Sequence, residues 1–168
     1  EPTQQWRLAE DAPDCEPGAG QIKVAVEACG LGLPDVMMCR NNYPLTPPLP
    51  FTPSQEAAGE VVAVGEGVDE RLVGTRVMGT TLFQAQAGGL ADCCLMSAGA
   101  ALPIPDAMPG AEAAGFFIPY MTAWVGLVRR GNLTPYDTLL VLGASGSSGA
   151  AAVQLGKAIG ARVIAVAG

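Results

Sequence analysis

The sequence predicts an α/β plus β architecture, with a small barrel-like β domain followed by the first βαβ unit of a parallel-sheet domain. Three observations carry that expectation. Short apolar segments punctuated by Gly and Pro fill the first two thirds of the chain, the pattern of a closed or nearly closed β domain. Near residue 108 the texture changes to alanine with larger apolar residues at helical spacing. The segment LLVLGASGSSGAAAVQLGKAIGARVIAVAG, 139–168, then reads as an apolar strand, a glycine turn, a helix and a second apolar strand.

In QIKVAVEA, Ile22, Val24 and Val26 alternate with Lys23, Ala25 and Glu27, the period of a half-buried strand. GEVVAVGEGV (59–68) and GTRVMGT (74–80) are further β runs bounded by glycines, and GGLADCCLM (88–96) resembles a strand entered from a tight turn. The stretch YPLTPPLPFTP, 43–53, cannot be a central strand because its prolines lack ladder donors; it is expected to be an extended surface connection. MPGAEAAGFFIPYMTAWVGLVRRGNL (108–133) predicts helix interrupted at Pro119. After it come a buried strand at LLVLGA, a helix over about Ser148–Ile159 stopped by Gly160, and a second strand at RVIAVA. The boundary between the two domains is placed at 117/118, giving 1–117 and 118–168.

Composition limits the function classes. Hydrophobic residues make up 49% and charged residues 15% of 168, against roughly 25% charged in ordinary soluble domains. Yet no run approaches the roughly 20 apolar residues of a membrane span, so a soluble protein and no membrane partner are expected. The net charge is −7 and the nine basic residues are scattered, which argues against a nucleic-acid partner. Arg129-Arg130 reads as the solvated end of a helix. Five cysteines without a regular framework, and an N-terminus without a basic-then-apolar pattern, point to reduced thiols in a cytoplasmic compartment.

The turn G-A-S-G-S-S-G carries the chemistry. A helix N-terminus offers unpaired N–H groups and partial positive charge, and glycines let a pyrophosphate approach the backbone. In a G-x-G-x-x-G frame Ala144 takes the first position, with Gly146 and Gly149 in the second and third. Ser145, Ser147 and Ser148 add hydroxyls that cap the helix or bind phosphate oxygens. The deeply apolar flanks oppose a flexible linker, and no G-K-[ST] follows to make a P-loop. A purely structural tight turn is the remaining alternative to a dinucleotide site.

Six ordered blocks give the chain a family resemblance: VEACGLGLPDVMMCRNNYP, PPLPFTPSQEAAGEVVAVGEGV, GTRVMG, FFIPYMTAW, GASGSSG and the strand RVIAVAG. Together they resemble the zinc-free quinone oxidoreductase (zeta-crystallin-like) branch of the medium-chain dehydrogenase/reductase superfamily. That resemblance implies an N-terminal GroES-like β-barrel domain with substrate and catalytic residues, then a Rossmann domain binding NADPH, with the active site in the cleft between them. It implies that Tyr43 lines the nicotinamide side, that Thr122 of T-A-W lies beside the same ring, that Ala144 to Gly149 form the pyrophosphate turn, and that Gly168 ends the second strand. Tyr43 and Thr122 are the candidate catalytic hydroxyls. The alternatives are that Tyr43 anchors its loop and that Thr122 bonds its own helix backbone. The resemblance also implies a homodimer of the complete protein.

Departures from the family pattern sharpen the reading. The family asparagine near the nicotinamide is Gly32 here. Where zinc-binding relatives carry ligands, this chain has Gly32 and Gln55, and it contains no histidine, so no zinc is expected. Cys93 and Cys94, as neighbours on a strand, point to opposite faces and cannot share a metal. Chemistry without a Lewis acid suits hydride transfer to a quinone or an α,β-unsaturated carbonyl. No acid stands about 20 residues past the turn to hold ribose hydroxyls, which leans toward NADPH without excluding NADH. Enoyl-thioester reduction is the alternative activity, and a non-catalytic, crystallin-like NADPH-binding protein the alternative of another class. A doubly wound sheet has about six strands and two are present, so the 168 residues are expected to be part of a longer protein.

Overall fold

Ile22 and Val24 face inward on β1 (Gln21–Gly30), as the alternation predicts. β1 is antiparallel to β2 (Glu56–Val64) on one side and to β4 (Cys93–Ser97) on the other. β2 pairs with β3 (Arg76–Thr80), which pairs with the short β5 (Leu102–Pro103), so the order is β4-β1-β2-β3-β5. Just past β3, Thr81 bridges Met96 of β4, and the Leu82 N–H donates to the Leu95 carbonyl at 2.8 Å. That bridge brings the end of β3 round onto β4 and makes the barrel. Register shifts at Lys23/Val24 and Val26/Ala28 mark bulges that bend β1. The interior is filled by Ile22, Val24, Ala57, Val61, Val77, Cys94 and Met96.

The computed structural model describes residues 7–12 and 14–168. Contacts divide the chain into two units, with the division between Gly115 and Phe116. The proline-rich 43–53 connection forms no strand, as expected. Three boundaries differ from expectation. β2 begins at Glu56 rather than at Gly59, because that glycine lies within the ladder, paired with Val26 and Val77. Residues 88–92 remain outside β4, which begins at Cys93. The helix break lies at Gly115–Phe116, between α2 (Gly110–Ala114) and α3 (Phe117–Trp124), and not at Pro119. Pro119 occupies the first turn of α3, where no N–H is required.

A short helix absent from the expectations, α1 (Leu33–Cys39), follows β1. After α3 the backbone widens into a π-helical turn over Val125–Arg130, with the Gly131 N–H on the Gly126 carbonyl at 2.9 Å. Arg129 and Arg130 close that turn exposed to solvent, as predicted.

In the second unit, β6 (Thr138–Leu142) and β7 (Arg162–Val166) pair in parallel, Thr138 opposite Arg162 through Leu142 opposite Val166. α4 (Ser147–Ile159) is the crossover and stops at Gly160, whose φ of 95° no ordinary residue adopts cheaply. This is the predicted βαβ unit. α4 covers one face of the pair, and Leu140, Leu142, Ile164 and Val166 on the other face are exposed, the apolar surface expected of two strands of a larger sheet. α3 joins α4 through the Tyr120 hydroxyl, which donates to Gln154 Oε1 at 2.6 Å, while the Tyr120 ring stacks on Phe116 at 3.9 Å. No helix among the described residues is long and apolar enough to cross a membrane.

The outer barrel wall is tied by Arg76, whose Nε and Nη2 donate to Glu27 Oε1 and Oε2 at 2.8 and 2.7 Å, with Nη2 also on the Met108 carbonyl at 3.1 Å. Hydrogen bonds from the guanidinium hold the Glu27 carboxyl below its usual range. A depressed carboxylate stabilises the fold above its unfolded pKa and stops doing so as pH falls through the folded value. Glu27→Gln is therefore expected to lower urea stability by up to ~1 kcal/mol near neutrality, the range for a partly exposed pair. The difference should shrink below about pH 4, and a pH-independent difference would rule out the ion pair as its source.

A second expectation concerns Gly149, where an added Cβ would sit 2.2 Å from the Gly143 carbonyl oxygen and 2.9 Å from Ala144 Cα. Both obstacles are backbone, so Gly149→Ala should cost ~1–3 kcal/mol in chemical denaturation.

Candidate functional site

β6 ends at Leu142 and the chain turns on Gly143, which has φ of 73°. The left-handed residue is therefore Gly143, one residue ahead of Ala144, which holds the first position of the G-x-G-x-x-G spacing. The Ala144 N–H donates to the Val166 carbonyl at 2.9 Å and the Gly146 N–H to the Gly143 carbonyl at 3.1 Å. The first bond fixes the turn to the end of β7, and the second closes the turn on itself. Because β6 and β7 are parallel, Ala144–Gly149 and Gly168 share the carboxyl end of the pair, the end at which α/β sheets bind ligands.

α4 enters from Gly146 in extended conformation, without a side-chain cap and without an acid in its first turn. Ser145, Ser147 and Ser148 are exposed, and none caps the helix, one of the two roles open to them. The first N–H groups of a helix have no carbonyl one turn earlier to receive them. With no carboxylate in that turn, the positive end of the helix dipole of about half a charge is left unneutralised. Gly149 provides the close helix–strand approach. Gly146 is sterically different, since an added Cβ would meet only the Gly143 carbonyl oxygen at an ordinary 3.5 Å. The chain itself does not require glycine there, which leaves room on the outer side of the turn.

Thr122 is exposed on α3, in the same unit as the turn. Tyr43 belongs to the other unit, half-buried in the loop after α1, so the predicted residues divide between the two units. The Tyr43 carbonyl accepts both the Thr46 N–H at 3.1 Å and the Thr46 hydroxyl at 2.7 Å. The loop leaves α1 through Asn41, in the left-handed region, and the Asn42 N–H on the Met37 carbonyl at 2.9 Å. The backbone that carries Tyr43 is therefore held on both sides of it.

A buried polar hub supports that segment, and sequence reasoning missed it. Asp35, buried at the start of α1, accepts the Gly32 N–H at 2.8 Å and the Ser54 N–H at 3.0 Å. Ser54 is fully buried with φ of 78°. Its single hydroxyl proton is shared between the Glu56 and Gly30 carbonyls, at 2.8 and 3.0 Å. The Ser54 carbonyl in turn accepts the Thr81 hydroxyl at 2.7 Å and the Gly89 N–H at 3.0 Å. The available signal was Ser54 itself, which stands where the family pattern has glycine, the residue suited to positive φ. Next to the hub, Gln55 Nε2 meets Met38 Sδ at 3.9 Å.

Cys94 points into the barrel, where burial pushes its thiol up to about 12, while Cys93 is half-buried on the opposite face, as their adjacency predicts. Among the described residues no group of three or more His, Cys, Asp or Glu side chains is arranged to hold a metal ion.

Residues 18–128 match the alcohol dehydrogenase GroES-like domain family. The chain is 40% identical over 148 residues to a quinone oxidoreductase-like protein 2 homolog of Nematostella vectensis, covering 88% of this chain and 40% of that protein. Among solved structures it is similar to the quinone oxidoreductase of Thermus thermophilus, determined with NADPH, at a TM-score of 0.79 and 34% identity, covering 94% of this chain and 48% of that one. It is also similar to the CurK enoyl reductase at a TM-score of 0.83 and 29% identity, over 94% and 48%. The chain thus spans less than half the length of these proteins. With its barrel, its βαβ unit and two thirds of its length under one family pattern, the chain belongs to the alcohol dehydrogenase GroES-like domain family, on the quinone oxidoreductase branch of the medium-chain dehydrogenase/reductase superfamily.

Proposed function

We propose that this chain carries the diphosphate-binding turn and part of the acceptor site of an NADPH-dependent, zinc-independent oxidoreductase acting on quinones or α,β-unsaturated carbonyls. The observation that carries the reading is the uncapped N-terminus of α4, set against a turn in which Gly146 leaves space on its outer side. That cradle suits a diphosphate in charge and in shape. NADPH, when bound, supplies the hydride.

The chain's own groups do the holding. The N–H groups of Ser147, Ser148 and Gly149 bind the diphosphate oxygens, the Ser145, Ser147 and Ser148 hydroxyls add donors, and Gly146 lets the backbone come close. The end of β7, Val166–Gly168, carries no acid to hold ribose hydroxyls, which leans toward NADPH. Tyr43 and Thr122 are the hydroxyls that orient the nicotinamide and donate to the acceptor oxygen as negative charge develops there. No metal enters the scheme, because Gly32 and Gln55 stand where ligating side chains would be needed, and neither offers a thiolate or imidazole. Enoyl-thioester reduction is the second reading, favoured by the likeness to the CurK enoyl reductase.

Incubating the protein with NADPH and a panel of ortho-quinones, enones and enoyl thioesters should consume NADPH absorbance with at least one class, undiminished by a metal chelator. Turnover confined to enoyl thioesters would select the second reading, and turnover abolished by chelation would end the zinc-independent one. Gly146→Ala should weaken NADPH binding by about tenfold, ~1.4 kcal/mol, while lowering stability by about 1 kcal/mol or less. Unchanged affinity in that variant would remove the turn from the binding site.

A further inference from the structure

The register of β1 and β4 places Lys23 opposite Leu95 and Ala25 opposite Cys93. Since Ile22, Val24, Cys94 and Met96 fill the barrel, alternation turns Lys23, Ala25, Cys93 and Leu95 to its outer face. That face is covered: the Lys23 side chain is only 12% exposed and Leu95 8%. Over Lys23 the cover is the segment before β1. Lys23 Nζ donates to Asp14 Oδ2 at 2.6 Å and lies 3.8 Å from Glu16 Oε1. The backbone of Pro17 and Gly18 runs against Gly65, where an added Cβ would be 1.8 Å from the Gly18 carbonyl oxygen.

Cys15 lies within this cover. Its N–H donates to Asp14 Oδ1 at 2.9 Å, the same carboxylate that holds Lys23. Cys15 and Cys93 interact electrostatically, and each also interacts with the Lys23 ammonium. Both thiols are half-buried. Burial raises the Cys15 thiol, and the ammonium draws it back toward ionisation. The remaining cysteines are placed differently. Cys94 is sealed in the barrel. Cys39 is raised by burial and by the nearby Asp35 carboxylate. Cys29 packs against the core from within.

We propose that Cys15 and Cys93 form a redox-modifiable thiol pair, closing to an intramolecular disulfide with hydrogen peroxide and fastening the segment before β1 to β4. One thiolate attacks a peroxide oxygen; the O–O bond breaks, hydroxide leaves, and the sulfur becomes a sulfenic acid. The second thiolate attacks that sulfur, the S–S bond forms and a second hydroxide leaves. The two thiol protons neutralise the two hydroxides, so two thiols and one peroxide give one disulfide and two waters. Sulfur is oxidised by two electrons and the peroxide reduced by two. Lys23 acts at Cys15 against the burial that raises that thiol.

The test treats the full reduced chain with hydrogen peroxide, blocks residual thiols by alkylation, and maps linked peptides by mass spectrometry. The expected result is loss of two of the five thiols, a Cys15–Cys93 peptide pair within a single chain, and full recovery with dithiothreitol. Cys15→Ser should abolish the link, and Lys23→Met should slow its formation while leaving the far-ultraviolet circular dichroism unchanged. A link to any other cysteine or between chains, sulfinic acid at both sites without a link, or survival of all five thiols under peroxide that oxidises free cysteine would overturn the proposal.

Discussion

Close backbone contact between the start of α4 and the turn that follows β6 is the constraint on which the second unit rests. Gly149 has no room for a Cβ beside the Gly143 carbonyl, so the helix is drawn onto the strand end. Its first N–H groups consequently emerge at the carboxyl end of a parallel pair. The chain then adds nothing that would neutralise them: no cap, no acid in the first turn, and serines that remain exposed. Exposed helix donors are satisfied by water, and the proposed diphosphate takes the place of that water. The geometry that packs the unit is therefore the same geometry that opens the turn to the proposed diphosphate.

The barrel solves its own problem by another route. Three connections converge where β1 ends, α1 begins and the proline-rich loop returns to β2. A carboxylate and a hydroxyl, Asp35 and Ser54, satisfy the backbone groups left there. A non-glycine residue at positive φ costs of order 1–3 kcal/mol, and the burial and bonding of Ser54 keep it in place. Satisfied polar groups in a dry interior specify one arrangement, and through α1 that arrangement fixes the backbone on which Tyr43 stands.

Much of this was legible in the sequence where physical signals are local and periodic. Ile22 and Val24 announced a barrel face through a period of two, and the apolar runs around GASGSSG announced parallel strands and a crossover helix. Gly160 announced the end of that helix. What was not legible depended on short elements or distant partners. α1 has only seven residues, too few for a 3.6-residue period to register, although Pro34 and Asp35 are residues that suit a helix start. Pro119 read as a breaker because its place in the first turn was fixed by the upstream break at Gly115. The Asp35–Ser54 bond joins residues 19 apart, and the cover over Lys23 joins two segments whose meeting no local pattern records. The turn G-A-S-G-S-S-G was legible as a glycine spacing, but which of its residues takes the positive φ, Gly143, is not something spacing identifies.

The central claim is that the turn after β6 receives the diphosphate of a dinucleotide. Amide chemical-shift mapping of the isotopically labelled protein tests it most directly, with NADPH and inorganic pyrophosphate added in separate titrations. The account predicts that NADPH moves the amides of Ala144–Gly149 and Gly168, and that pyrophosphate alone moves the subset at Gly146–Gly149. NADPH binding that leaves the Ala144–Gly149 amides unmoved would contradict it.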